Sequence, residues 1–211
     1  MARKKEPERI DQNKAKIMES AKSLFLQKGI RQTSMEDIAG KAHICKATLY
    51  TCYPNRDAIK NDISLEAMQY LYQILLENTQ TEAALQDNFL AVCKSLLDFR
   101  DKYPLNFQII VENICIDDTI LSEDQTLRSI YETGEKINNR LLEIFAAAFQ
   151  KRSRAEVVEM IFEMWGSIYG LILIAGNKTD YIEKATGRNR EQFLHNGFMR
   201  LYSQIRQDPE V

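Results

Sequence analysis

Helix breakers are scarce in this chain, and their placement limits what it can fold into. Its 211 residues include only four prolines and eight glycines, and Asp57 to Glu77 contains neither. Such a sequence favours long helices over strands joined by turns. With 45% apolar residues it can build a real core, which excludes wholesale disorder. The length suits one large domain, or a small domain joined to a larger one. No run of about 18 consecutive apolar residues free of charge is seen, so no membrane span or membrane partner is expected. The basic N-terminus, MARKKEPERIDQ, lacks the apolar run of a signal peptide. The expected location is cytoplasmic.

Four cysteines (Cys45, Cys52, Cys93, Cys115) form no CxxC pair, and there are two histidines, His43 and His195. They supply no zinc-ligand set, and no metal or cofactor is expected. No Ser-His-Asp set or glycine-rich phosphate loop is present, so no catalytic residue is assigned and the chain is read as not an enzyme.

Charge is uneven although the total is only −2. Residues 1–60 carry 13 Lys/Arg against seven Asp/Glu, an excess of six positive charges, which leaves the remainder eight negative. A basic head on an acidic body suits a head that meets a polyanion.

The head has a readable architecture. Ile17, Ala21, Leu24 and Phe25 mark one face of an amphipathic helix over 10–28. Gly29 is placed to stop it in a left-handed conformation. Ser34 can cap a short second helix, about 35–42, with Glu36 and Asp37 in its first turn. A third helix runs from about Cys45 to Cys52 and ends at Tyr53-Pro54. Two short helices joined by a tight turn make a helix-turn-helix. The second of the pair is expected in the major groove. Lys46 supplies a cation for bases, Ala47 close approach, Thr48 and Thr51 hydroxyls, and Leu49 either packing or a thymine-methyl contact.

Behind the head the sequence predicts helices over about 57–77, 81–100, 105–117, 121–150, 154–175 and 190–207, with a loop at 176–187. The fold class is all-α: an N-terminal three-helix DNA-binding domain with a helix-turn-helix (1–56), then a larger helical bundle (57–211). The helix near 154–175 is apolar on more than one side and must be covered on several faces. Gly166 and Gly170 allow close helix approach. With the last helix, this gives an expected homodimer interface of Ile161, Trp165, Ile168, Tyr169, Ile172, Phe198, Leu201 and Ile205. Apolar and aromatic residues of the middle helices give a candidate effector pocket: Tyr72, Phe89, Cys93, Phe107, Ile110, Val111, Ile114, Tyr131 and Trp165.

Residues 13–60 resemble the N-terminal domain of the TetR family of bacterial transcriptional regulators. The resemblance rests on the stretches KIMESAKSLFLQKGIRQTSMEDIAGKA and ICKATLYTCYPNRDAI. Ala21, Leu24, Phe25, Gly29, Thr33, Ser34, Ile38, Ala39, Ala42, Leu49, Tyr50, Asn55, Asp57 and Ile59 meet the family pattern. This chain departs from it with His43 at the turn glycine, Cys45 at the capping serine and Ala47 at a glycine. It also has Cys52 for Tyr or His, Tyr53 for Phe and Arg56 for Lys. The resemblance implies phosphate contacts from Thr33, Ser34 and Arg56, and a base contact from Lys46. It places Thr48 facing the groove, and Tyr50 and Thr51 on the DNA backbone. It further implies a double-stranded DNA operator, a 57–211 bundle for ligand binding and dimerisation that takes a small-molecule effector and forms a homodimer by its last two helices, and repression.

A thiol-sensing regulator using Cys45 or Cys52 is the alternative. Seven residues apart, the two would lie about 10.5 Å apart on an intact helix, too far for a disulfide. Oxidation of one thiol near the helix start would still block DNA contact.

Overall fold

The computed structural model describes residues 6–112 and 124–207, and every regular element in them is helical. The helices are α1 (Glu6–Lys28), α2 (Met35–Lys41), α3 (Lys46–Cys52), α4 (Arg56–Asn78), α5 (Leu85–Lys102) and α6 (Pro104–Glu112). They continue with α7 (Gln125–Ala146), α8 (Arg154–Asn177), α9 (Thr179–Thr186) and α10 (Arg190–Gln207). Their contacts divide the chain into two units, 1–68 with 103–132, and 69–102 with 133–211. The boundary expected after residue 56 is therefore displaced. The first part of α4, all of α6 and the start of α7 group with the helix-turn-helix.

Helix ends follow local chemistry. Gly29 stops α1 at φ 84°, donating its N–H to Phe25 O at 3.0 Å. Ser153 and Glu156 form a capping box at α8. Asn189 and Gln192 exchange side-chain-to-backbone bonds at the start of α10. Asp124 accepts from Thr126 N and Leu127 N ahead of α7. Two sequence expectations shift. Helix α7 is shorter than 121–150, and residues 179–186, read as loop, form α9. That helix buries little beyond Ile182, so its apolar periodicity is faint. Its clearest sequence mark is Gly187, which terminates it at φ 68°.

In the first unit, Ile17, Ala21 and Phe25 of α1 pack with Ile38 and Ala39 of α2 and with Leu49 of α3. Tyr53 just after α3, Ile59 and Ile63 of α4, and Leu105 of α6 complete this core. Asn106 explains why α6 belongs here: buried, it donates to Ile63 O at 2.9 Å. Lys22 joins α1 to Glu66 of α4 at 2.8 Å.

In the second unit, α8 packs on α5, α9 and α10. Its inner face buries Val157, Met160, Ile161, Met164, Ile168, Ile172 and Ala175. By length and hydropathy alone α8 is apolar enough to span a bilayer, and a third of that apolar stretch is buried within the protein. Arg140 of α7 holds the end of α4, its Nε donating to Thr79 Oγ1 at 3.0 Å and its Nη2 to Thr79 O.

Candidate nucleic-acid interface

Helix α3 has seven residues, too few to stand alone in water, so its position is set by what anchors it. Leu49 is its buried residue, and the packing role is the one it fills. Tyr53 closes the C-terminal end, donating its N–H to Leu49 O at 2.8 Å. Its hydroxyl donates to Asp62 Oδ2 at 2.8 Å, and Asp62 Oδ1 accepts from Thr126 at 3.1 Å. Burial, then the Asp62 carboxylate, pushes the Tyr53 phenol far up. The hydroxyl that distinguishes tyrosine from the family's phenylalanine thus ties α3 to α4 and to the first turn of α7.

With Leu49 and Tyr53 turned inward, Lys46, Ala47, Tyr50 and Thr51 are exposed on the opposite side, with Thr48 half-buried. Thr51 Oγ1 donates to Ala47 O at 2.8 Å, leaving its lone pairs free to accept. Cys45 is the N-cap but makes no side-chain capping bond to the backbone. Its Sγ lies 3.1 Å from Thr48 Oγ1. That hydroxyl, followed by backbone N–H groups, draws the thiol below its ordinary range.

The turn between α2 and α3 holds His43 at φ 53°, the left-handed region the family fills with glycine. His43 N donates to Gly40 O and Ile44 N to Ala39 O. A β-branched side chain cannot adopt that conformation without strain. His43→Ile is expected to lower the urea midpoint by an amount equivalent to about 1–2 kcal/mol, whereas His43→Gly leaves the turn intact.

At the start of α2, Ser34 Oγ accepts from Asp37 N and Asp37 Oδ2 accepts from Ser34 N, a capping box. Lys28 adds an ion pair to Asp37 at 2.6 Å. Ser34→Ala is expected to cost about 1 kcal/mol in urea denaturation. Lys28, then the Ser34 N–H and hydroxyl, hold the Asp37 carboxyl well below the usual carboxylate range. Because the folded value is depressed, this contribution is complete above about pH 4 and fades as pH falls further. Asp37→Asn should flatten that acid limb in a stability–pH profile.

Two expected phosphate ligands have other partners. Thr33 is 1% exposed, its hydroxyl spent on Gly29 O at 2.9 Å, so it anchors the turn and does not face solvent. Arg56 Nη1 donates to Arg31 O and Thr33 O at 3.0 and 3.1 Å. It fastens the α1–α2 turn to the start of α4. Lys46, exposed as expected, is paired with Glu36 of α2 at 2.7 Å, a contact across ten residues that no helical periodicity reveals.

The expected pocket residues separate. Phe107 and Tyr131 belong to the first unit; Tyr72, Phe89, Cys93 and Trp165 belong to the second. Phe89 and Cys93 are core, 1% exposed each, with Phe89 tilted against Tyr202 at 5.7 Å. Burial raises the Cys93 thiol. Tyr72 and Trp165 are half-buried and Tyr131 is exposed. The side chains of Ile110, Val111 and Ile114, like Cys115, lie outside the described residues.

The expected dimer residues also divide. Ile161, Ile168, Ile172 and Phe198 are interior, so they hold the second unit together and do not face a partner. Trp165, Tyr169, Leu201 and Ile205 are half-buried. The apolar surface of α8 is carried instead by Phe162 and Ile174, 59% and 51% exposed, with Gly166 and Gly170 between them and open space over both.

A family model described as bacterial regulatory proteins, tetR family, matches residues 17–63, which spans this helix-turn-helix and the start of α4. Over 155 residues the chain is 23% identical to the biofilm operon icaADBC HTH-type negative transcriptional regulator IcaR of Staphylococcus epidermidis. That match covers 72% of this chain and 81% of that one. Over 104 residues it is 28% identical to the uncharacterized HTH-type transcriptional regulator YhgD of Bacillus subtilis. Residues 17–63 are thus a TetR-family head. The second match takes in 49% of this chain and 54% of YhgD, about half that relative's length. Among solved TetR-like folds, the transcriptional regulator FadR from Bacillus subtilis, in complex with stearoyl-CoA, superposes with a TM-score of 0.62. It is 15% identical, over 89% of this chain and 96% of that one.

Proposed function

We propose that the chain is a DNA-binding transcriptional regulator that acts as a homodimer on a pseudo-palindromic operator, as a repressor released by a small, largely apolar effector. The observation that carries this reading is the two-sided build of α3. Leu49 is wholly buried, while Lys46, Ala47, Tyr50 and Thr51 are open to solvent on the basic part of the chain. Repression is supported by the negative regulator IcaR. An apolar effector is supported by the stearoyl-CoA bound to the Bacillus subtilis FadR.

Dimerisation is drawn from the outer face of α8. Phe162, Gly166, Gly170 and Ile174 fall on one i+4 row, apolar or open, and the glycines admit a second helix closely. Two copies related by a two-fold axis would set their recognition helices about 34 Å apart, one turn of B-DNA.

The test is selection of duplexes from a randomised pool by the purified protein, followed by gel shifts at fixed salt. A recovered inverted repeat whose complex is dispersed by stearoyl-CoA or another apolar ligand is the expected result. Failure to retain any duplex contradicts it. Lys46→Ala should weaken binding to the selected duplex about 10- to 100-fold.

A second reading is favoured by Cys45, exposed, beside the Thr48 hydroxyl and lowered in pKa by it. Peroxide would oxidise its thiolate to sulfenic acid on the DNA-facing surface. Under this reading peroxide abolishes the wild-type shift and spares Cys45→Ser; equal insensitivity of both proteins removes it.

A further inference from the structure

A carboxylate stands beside Lys46 on the surface proposed to meet DNA. Glu36 is the second residue of α2, and its Oε1 lies 2.7 Å from the Nζ of Lys46, the first residue of α3. Both side chains are more than half exposed, 54% and 63%, so burial does not force the pair together. Its placement is nevertheless fixed. The capping box of Ser34 and Asp37 sets the first turn of α2, and Ala39 O holds the turn into α3 through Ile44 N. Asp37, next to Glu36, is already engaged by Lys28 and Ser34. Lys46 is the only cation in α3, which has no acid of its own. The surface therefore presents one ammonium and one carboxylate side by side, where a phosphate-seeking surface would present cations alone.

We propose that Glu36 and Lys46 read a single guanine–cytosine base pair as a unit, Lys46 donating to guanine O6 and N7 and Glu36 accepting from cytosine N4. This rests on the reading of α3 as a major-groove helix and makes Glu36 a specificity-determining residue. The spacing suits the task. In a G·C pair the O6 acceptor and the N4 donor are themselves hydrogen-bonded, so they lie about 2.9 Å apart, close to the separation of the ion pair. The pair can dock without parting.

Other base pairs fit less well. Reversing the pair sets the carboxylate against guanine acceptors. An A·T pair offers N6 to Glu36, but with the N7 lone pair beside it, and gives Lys46 only O4 next to a methyl group. Away from a suitable base, Glu36 either keeps Lys46 from the phosphates or is left unpaired in a polyanionic groove. Each costs affinity. The mutual attraction lowers the Glu36 carboxyl and raises the Lys46 ammonium from their ordinary values.

The experiment is a binding panel on the duplex selected by the wild-type protein, with every base pair exchanged in turn. Wild type, Glu36→Ala, Glu36→Gln and Lys46→Ala are compared at several salt concentrations. The wild type should lose about tenfold or more on exchange of one G·C pair per half-site, and Glu36→Ala should shrink that loss to about threefold or less. Glu36→Ala should also bind a mixed-sequence duplex more tightly, with a salt slope steeper by about one as Lys46 turns to phosphate. Lys46→Ala should flatten the same position as Glu36→Ala.

An unchanged base profile in Glu36→Ala, or flattening at different positions in the two variants, overturns the proposal. Matching thermal transitions establish that the variants are folded; should Glu36→Ala fail that check, the near-isosteric Glu36→Gln carries the comparison. If the wild type binds no duplex, the regulator reading itself falls, an outcome distinct from loss of the shared position.

Discussion

Leu49→Ala should destabilise the first unit by about 2–5 kcal/mol and abolish operator binding together with it. Leu49 is wholly excluded from solvent and is the buried side chain of a seven-residue helix. Helix α3 makes few backbone bonds of its own: Leu49 N to Cys45 O at 3.1 Å and Tyr53 N to Leu49 O at 2.8 Å lie at its two ends. Removing the isobutyl group leaves a cavity bordered by a core that α1, α2 and α4 also share. The neighbours cannot close it without shifting those three helices. Tyr50→Ala is the control one residue away. Tyr50 is 49% exposed, so its loss should leave the urea midpoint nearly unchanged while weakening DNA binding. If Leu49→Ala retained both stability and binding, the anchoring assigned to α3 would be wrong.

Phe162→Glu should leave the chain monomeric where the wild type pairs through the proposed α8 face, and weaken binding to the two-half-site duplex by about 100-fold or more. Linked half-sites raise apparent affinity by roughly 10²- to 10⁴-fold through effective concentration, and a monomer forfeits that gain. Phe162 is the most exposed apolar side chain on α8. It begins the row that continues through Gly166 and Gly170 to Ile174. A carboxylate there costs little in the lone chain, since nothing is buried against it. At a two-fold interface it would meet an apolar surface, and close to the axis its own copy. Ile168→Glu is the contrast. Ile168 is wholly buried, so that change should unfold the second unit. Sedimentation velocity reads the oligomeric state and a thermal melt separates the two cases. A Phe162→Glu protein that stays dimeric would move the interface elsewhere.

Much of the helix-turn-helix was legible because its signals are local. Gly29, Ser34 with Asp37, and Tyr53-Pro54 each set a boundary through the conformation of one or two residues. The observed ends of α2 and α3 fall within one residue of those expected. Partners distant in sequence carry no such mark. Thr33 fits a phosphate contact until its hydroxyl is seen turned to Gly29 O. Arg56 keeps the family's charge but spends it on two carbonyls of the α1–α2 turn. Glu36 and Lys46 meet across two helices, and either residue alone reads as a solvated charge.

The apolar wealth of α8 announced a helix covered on several sides, but a sequence apolar all round has no phase. The sequence therefore does not separate inner from outer face, and Ile161, Ile168 and Ile172, which read as outward, are buried. The extent of the first unit was hidden for a similar reason. The bonds of Asn106 to Ile63 O and of Thr126 to Asp62 join segments more than 40 residues apart.

Two copies of this head are proposed to grip successive major grooves on one face of a duplex. This is tested most directly by titrating the protein against the selected inverted repeat and against the same repeat with about half a helical turn, roughly 5 base pairs, inserted between the half-sites. Two chains bound per duplex on the original spacing, and affinity reduced by about 100-fold or more on the rephased one, is the expected result. Equal affinity for both duplexes, with one chain bound to each, would contradict it.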